Sequence, residues 1–181
     1  MLKITVPPTE MWDERRQMFV STKEQHLSLE HSLVSISKWE SKWHQAFLDE
    51  RKEKTEEMMI DYIRCMTLTQ NVDPDVYVCL SPENMREINE YIQDSHSATF
   101  FSTDGPKGPS RETVTSELIY YWMVALQIPF ECQKWHLNRL LTLIRICNIK
   151  SEKPKKMSKR ALMERNASLN AARRKKLGTT G

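Results

Sequence analysis

The chain has 181 residues, with 27 Lys or Arg, 24 Asp or Glu, four glycines and ten methionines. This length fits one domain plus a tail. Scarce glycine disfavours a tight-hairpin β-sandwich or barrel, and no apolar run reaches the roughly 18 residues of a membrane span.

Charge is distributed unevenly. Residues 150–181 hold 11 Lys or Arg against 2 Glu, a net +9, whereas residues 1–149 hold 16 against 22 Asp or Glu, a net −6. An acidic body with a basic end points to binding rather than catalysis.

Leu2–Val6 alternates and stops at Pro7-Pro8, which predicts a short strand. Leu27 and Leu29 alternate next, and after His31 the phase shifts to Val34 and Ile36, which predicts two short strands joined near His31. Residues 1–48 are therefore expected to form a β-rich N-terminal part, with His31 buried or interfacial. Trp39 and Trp43, four apart in a polar segment, share one face in either a helix or a strand.

Residues 49–149 are expected to form a helical core, in one domain with the N-terminal part. Thr55 caps a stripe of Met59, Tyr62, Ile63 and Met66. Val76–Leu80 reads as a brief strand. Ser81-Pro82-Glu83 starts a helix carrying Met85, Ile88 and Ile92 on one face. Within residues 98–110, Gly105, Pro106, Gly108 and Pro109 bar regular structure, and Phe100 and Phe101 are expected to pin the loop's start.

A further helix has Val114, Leu118, Tyr121, Trp122 and Ala125 as its stripe and ends at Pro129. A last body helix is expected from Phe130 or Glu131 to about Asn148. It is apolar on several faces, which fits a central or interfacial position.

Residues 150–181 are read as a basic tail. Ser158 is placed to cap a helix to about Leu177 with a thin apolar stripe of Leu162, Leu169 and Ala172, ordered when a partner covers it. The whole is mainly α with a small β-rich N-terminal part, a helical core and a basic, conditionally ordered tail helix.

No Walker loop, nucleophile elbow or dinucleotide fingerprint is present, so no enzyme, catalytic residue or cofactor is expected. Cys132 and His136 lie four apart, but a zinc site needs three or four ligands and no second pair appears, so no metal is expected. The cysteines, Cys65, Cys79, Cys132 and Cys147, form no CxxC pair and read as reduced thiols. Met1–Pro8 has no signal-peptide apolar core.

The tail's cations are Lys153, Lys155, Lys156, Lys159, Arg160, Arg173, Arg174, Lys175 and Lys176. They suit an acidic protein partner or a solvated tail. Nucleic acid ranks lower, because the tail has no aromatic residue to stack on bases. A membrane surface would need an apolar face that the tail lacks.

Three segments carry a resemblance: Leu29-Glu-His-Ser-Leu-Val-Ser-Ile-Ser-Lys-Trp-Glu-Ser-Lys-Trp43; Ser116-Glu-Leu-Ile-Tyr-Tyr-Trp-Met123 with Ile128-Pro-Phe-Glu-Cys-Gln-Lys-Trp-His-Leu-Asn-Arg-Leu-Leu141; and Leu169-Asn-Ala-Ala-Arg-Arg-Lys-Lys-Leu-Gly-Thr-Thr-Gly181. In this order the chain resembles tail assembly chaperones of long-tailed (siphovirus-type) bacteriophages. The resemblance implies a non-enzymatic protein of the host bacterial cytoplasm. Such a protein binds the tape measure protein and helps recruit the major tail protein as the tail tube polymerises. Trp39, Trp43, Trp122 and Trp135 are the partner-binding candidates, and self-association stays open. The alternatives are a virion neck or tail-completion protein and an accessory nucleic-acid-binding protein.

Overall fold

The computed structural model describes residues 1–13, 17–101, 113–151 and 159–178. The chain divides into two units, Met1–Asn148 and Ile149–Gly181. Its described elements are four short strands and six α-helices, so the fold is mainly α with a small β region at the N-terminus.

In the first unit, β1 (Leu2–Val6) pairs antiparallel with β4 (Gln25–Leu29), and β2 (Thr9–Asp13) pairs antiparallel with β3 (Met18–Thr22). Two residues separate the pairs on each side, Pro7-Pro8 on one and Lys23-Glu24 on the other. The register is therefore kept, with Val6 facing Gln25 and Thr9 facing Thr22, as in one hairpin ribbon interrupted where proline cannot donate a ladder bond. Ile4, Val6, Leu27 and Leu29 point to the core, while Trp12 and Phe19 stack edge to face outward at 5.0 Å.

The strand expected at Val34 and Ile36 is instead the start of α1 (Leu33–Trp43). Ser32 and Ser35 form a reciprocal capping box, which satisfies two orphan donors and commits the chain to a helix. Leu33, Ser35, Ile36, Trp39 and Glu40 are the buried positions, and Leu33, Ile36 and Glu40 follow the helical spacing that the short alternation of Val34 and Ile36 mimicked.

Thr55 caps α2 (Glu56–Met66), which buries Tyr62, Ile63 and Met66 as expected. Its C-terminus joins the free edge of β4: Glu30 N–H donates to Met66 O at 2.9 Å and Leu68 N–H to Ser28 O at 2.8 Å. The brief strand expected over Val76–Leu80 is a 3-10 turn, Pro74–Tyr77, started by the Asp73 cap. Ser81 caps α3 (Pro82–Gln93), and Asn84 donates from that cap to Thr5 O at 3.2 Å, covering the edge of β1.

Phe100 is 87% exposed and does not pin the loop's start. Phe101 does, with the Arg145 guanidinium 4.0 Å from its ring centroid. The glycine- and proline-rich stretch that follows lies outside the described residues.

Thr115 caps α4 (Ser116–Ala125), which ends before Pro129. The last body helix is not continuous from Phe130. A 3-10 turn, Phe130–Lys134, is followed by an isolated bridge between His136 and Ser32, and only then by α5 (Leu137–Ser151). The Leu137 N–H donates to His31 O at 2.7 Å, so a contact distant in sequence fixes where α5 begins.

One apolar core unites Leu27, Leu33, Trp39, Tyr62, Ile88, Ile119, Met123, Leu137 and Ile144. All four cysteines are free thiols, Cys79 and Cys132 buried and Cys65 and Cys147 half-buried.

The second unit contains α6 (Lys159–Leu177). Every side chain of α6 whose burial is described is exposed. The expected cap, Ser158, and Lys153, Lys155 and Lys156 lie outside the described residues. Among the described residues, no helix is long and apolar enough to cross a membrane.

Candidate partner-binding surface

The four tryptophans occupy different environments. Trp39 on α1 is fully buried. Its indole N–H donates to Met58 O at 2.8 Å, and its ring meets Phe47 edge to face at 5.2 Å. That is a core anchor joining α1 to α2.

Trp43 lies one turn on, 6.3 Å from Trp39 between ring centroids, so the shared face read from their spacing is present. Its N–H donates to Asp61 Oδ2 at 2.9 Å, and Lys42 donates to the other oxygen at 2.5 Å. Asp61 is buried and thereby takes a cation and an indole from α1. Trp43 is half-buried, as is Trp122 on α4. Trp135 follows the 3-10 turn at 36% exposure, with Arg139 over its ring at 4.4 Å.

Among the described α-helices of the first unit, α4 is the one that carries large apolar side chains more than half exposed. Its sequence is apolar almost all round, yet only Ser116, Ile119 and Met123 are buried. A helix with that composition normally has both faces covered. Tyr121, placed in the expected inward stripe, is 65% exposed, and Val124 is 60% exposed. Phe130 of the following turn is 54% exposed, and its ring lies 6.5 Å from that of Tyr120. The Tyr120 hydroxyl donates to Gln133 Oε1 at 2.8 Å, which ties the turn to α4. Tyr121, Val124 and Phe130 are therefore the residues that the periodicity missed. The signal was present in the absence of any polar group in the side chains from Leu118 to Ala125 apart from the tyrosine hydroxyls and the Trp122 indole N–H.

Glu40 holds α4 in place. This buried carboxylate accepts the Ser116 N–H at 2.7 Å through Oε2 and the Phe47 N–H at 2.8 Å through Oε1. A carboxylate at the first turn of α4 also complements the positive end of the helix dipole. It links α1 to a helix that starts 76 residues later.

A histidine cluster ties α3, α5 and the β4–α1 junction together. The rings of His31 and His136 are 5.0 Å apart and those of His136 and His96 4.0 Å. His31 Nδ1 meets the Tyr62 hydroxyl at 2.5 Å. Burial holds His31 down to about 3, and His136 and His96 add to that effect. Burial also lowers His136.

The hydrogen bonds of His136 assign its tautomer. Nδ1 accepts the Asn138 N–H at 3.3 Å, so Nε2 carries the proton donated to Tyr91 O at 2.9 Å. A second proton on Nδ1 would face the Asn138 donor. Cys132 and His136 sit in the turn and at the bridge rather than on one helix. Among the described residues, no three His, Cys, Asp or Glu are grouped to hold a metal.

On α6, Lys159, Arg160, Arg173, Arg174, Lys175 and Lys176 are all exposed. Arg160 pairs with Glu164 at 3.0 Å. In comparisons with known proteins, no family model, no curated protein and no solved structure matches the chain.

Proposed function

We propose that this chain is a non-enzymatic phage tail assembly chaperone that binds the tape measure protein and promotes tail tube polymerisation. The reading starts from the resemblance of the three segments, two of which include α1, α4 and the Phe130–Lys134 turn. The observation that carries it is the uncovered apolar face of α4 and of the turn after it, where Tyr121 and Val124 of the helix and Phe130 of the turn are each more than half exposed. A long helical partner with apolar stretches offers a complementary face for helix-to-helix packing.

In this reading α4 and the adjoining turn make the capture surface. Trp122 contributes from its half-buried position, and Trp135 extends the surface beside Arg139. Trp39 and Trp43 shape α1 from within. Glu40 and Asp61 are structural carboxylates rather than acids in a reaction, because each is already engaged by two donors.

Co-expression with a tape measure protein from the same genome tests the reading. The two proteins should co-purify at moderate salt, and Val124→Glu should abolish the complex while the variant stays folded. Two soluble proteins that separate, or stoichiometric recovery of the chain in purified virions, would refute it. The second result would favour a neck or tail-completion protein.

A further inference from the structure

A cleft of about 230 Å³ opens where the first turns of α1, the last turn of α2 and the Phe130–Lys134 turn meet. Its lining is largely apolar. Fully buried Met66 and half-buried Val34 and Cys65 contribute to it, together with Leu68, which is more than half exposed.

Two cations share this lining, Lys38 of α1 and Lys134 of the turn. Among the described residues neither is ion-paired, whereas Lys42, one turn along α1 from Lys38, is held by Asp61. Burial pushes the Cys65 thiol up and Asp61 adds to that, while Lys38 and Lys42 oppose it, so the Lys38 charge is felt at the cleft wall. The acid in the lining, Glu30, is already engaged. Its carboxylate accepts from the Tyr91 hydroxyl at 2.7 Å and lies 2.9 Å from the Met1 amino group. Ser32 and Ser35 spend their hydroxyls on the α1 cap. What is left for a ligand is an apolar interior beside two uncommitted ammonium groups, in a stretch, residues 1–149, whose net charge is −6.

We propose that this cleft binds a small amphiphilic carboxylate, with its apolar tail against Val34, Met66 and Leu68 and its carboxylate between Lys38 and Lys134. A cavity of about 150 Å³ admits benzene, and drug-sized ligands occupy about 300 Å³ or more. The cleft falls between the two, which suits a short aliphatic chain or a single ring. An amine would meet two like charges, and an inorganic anion would leave the apolar lining in water. A carboxylate gains charge-assisted hydrogen bonds from both lysines. Among the described residues, none of α4 lines the cleft, and the inference does not rest on the chaperone reading.

Isothermal titration calorimetry of the full chain with octanoate tests the site. Binding should saturate at one equivalent, and affinity should rise by up to about fourfold per methylene from butanoate to octanoate. Octanoate should bind at least about tenfold tighter than 1-octanol or octylamine, because only the acid forms the charge-assisted bonds. Lys38→Met with Lys134→Met keeps the apolar stems of two exposed side chains and removes both charges. This variant should melt as the wild type does, bind octanoate at least about tenfold more weakly and bind 1-octanol unchanged. Peptide-resolved alkylation gives a local readout: octanoate should slow the reaction of Cys65 in proportion to occupancy and leave Cys147, also half-buried, unaffected.

Absence of saturable octanoate binding would overturn the proposal. So would several weak sites with unchanged Cys65 alkylation, which would place the acid on the basic tail. Equal affinity for 1-octanol, or undiminished octanoate binding in the double Met variant, would overturn the role of the two lysines.

Discussion

Acid should destabilise the first unit through His31. The side chain is 2% exposed, touches the Tyr62 hydroxyl and faces His136, with His96 beyond it. The other charged groups facing the cluster are Glu30, which accepts from the Tyr91 hydroxyl at 2.7 Å and lies 2.9 Å from the Met1 amino group, and Asp94, 3.7 Å from His96.

His31 is held near 3 in the fold, against an ordinary value of 6.5 in the unfolded chain. The unfolded chain therefore takes up a proton below 6.5 that the folded chain refuses until about 3. Stability is fully present above 6.5 and falls as pH drops through that window. At about 1.36 kcal/mol per pH unit, lowering the pH from about 7.5 to about 5 removes roughly 2 kcal/mol. His136, shifted in the same direction, adds to the loss.

Urea unfolding followed by tryptophan fluorescence at the two pH values measures this directly. Trp39 is a suitable reporter because it is fully buried. His31→Asn lacks the titrating group and should lose about 2 kcal/mol of the pH dependence while being less stable at neutral pH. Parallel pH profiles for the wild-type chain and His31→Asn would refute the reasoning, since His31 would then not be the group that excludes the proton.

Glu40→Ala strands two buried backbone N–H groups, at Ser116 and Phe47. It should cost roughly 3 kcal/mol by denaturant unfolding, with Glu40→Gln recovering part of that. Trp39→Ala should cost about 3–5 kcal/mol by the same measurement, whereas Trp135→Ala should cost under about 1, because only the first empties a core position. Tyr121→Glu and Val124→Glu should leave the melting temperature within a few degrees of wild type but lose the tape measure complex in a pull-down. Gln127 is exposed at φ 54° after α4, and Gln127→Gly should raise stability by about 0.5–1 kcal/mol in urea titrations.

The α2 and α3 helices were legible because Thr55 and Ser81-Pro82 act within one turn of the stripes they introduce. The β1 strand was legible for a similar reason, with Pro7-Pro8 ending a clear alternation. The start of α1 reads as a strand in sequence because its capping serines carry a weaker local signal than the alternation of Val34 and Ile36. Its identity is reinforced by Trp39 and Glu40 contacts to residues far along the chain. The pairing of β2 with β3 was missed because the stretch contains neither glycine nor Asn-Gly at a turn.

Of the candidate surface, residue type alone points to Trp122 and Trp135. The periodicity turns Tyr121 inward because a helix apolar on every side offers several equally good stripes. Which one is buried depends on the neighbours that α4 meets. Here Glu40 anchors its first turn and presents Ile119 and Met123 to the core.

The sequence by itself determined the properties that arise within a few residues: the helix caps, the proline stops, the mainly α composition and the abrupt change to a basic tail. Tertiary structure alone decided which face of α4 stays uncovered, that Trp39 is core, and that α5 begins where Leu137 donates to His31. Each of these depends on contacts between residues far apart in sequence, where burial and hydrogen bonding outweigh local preference.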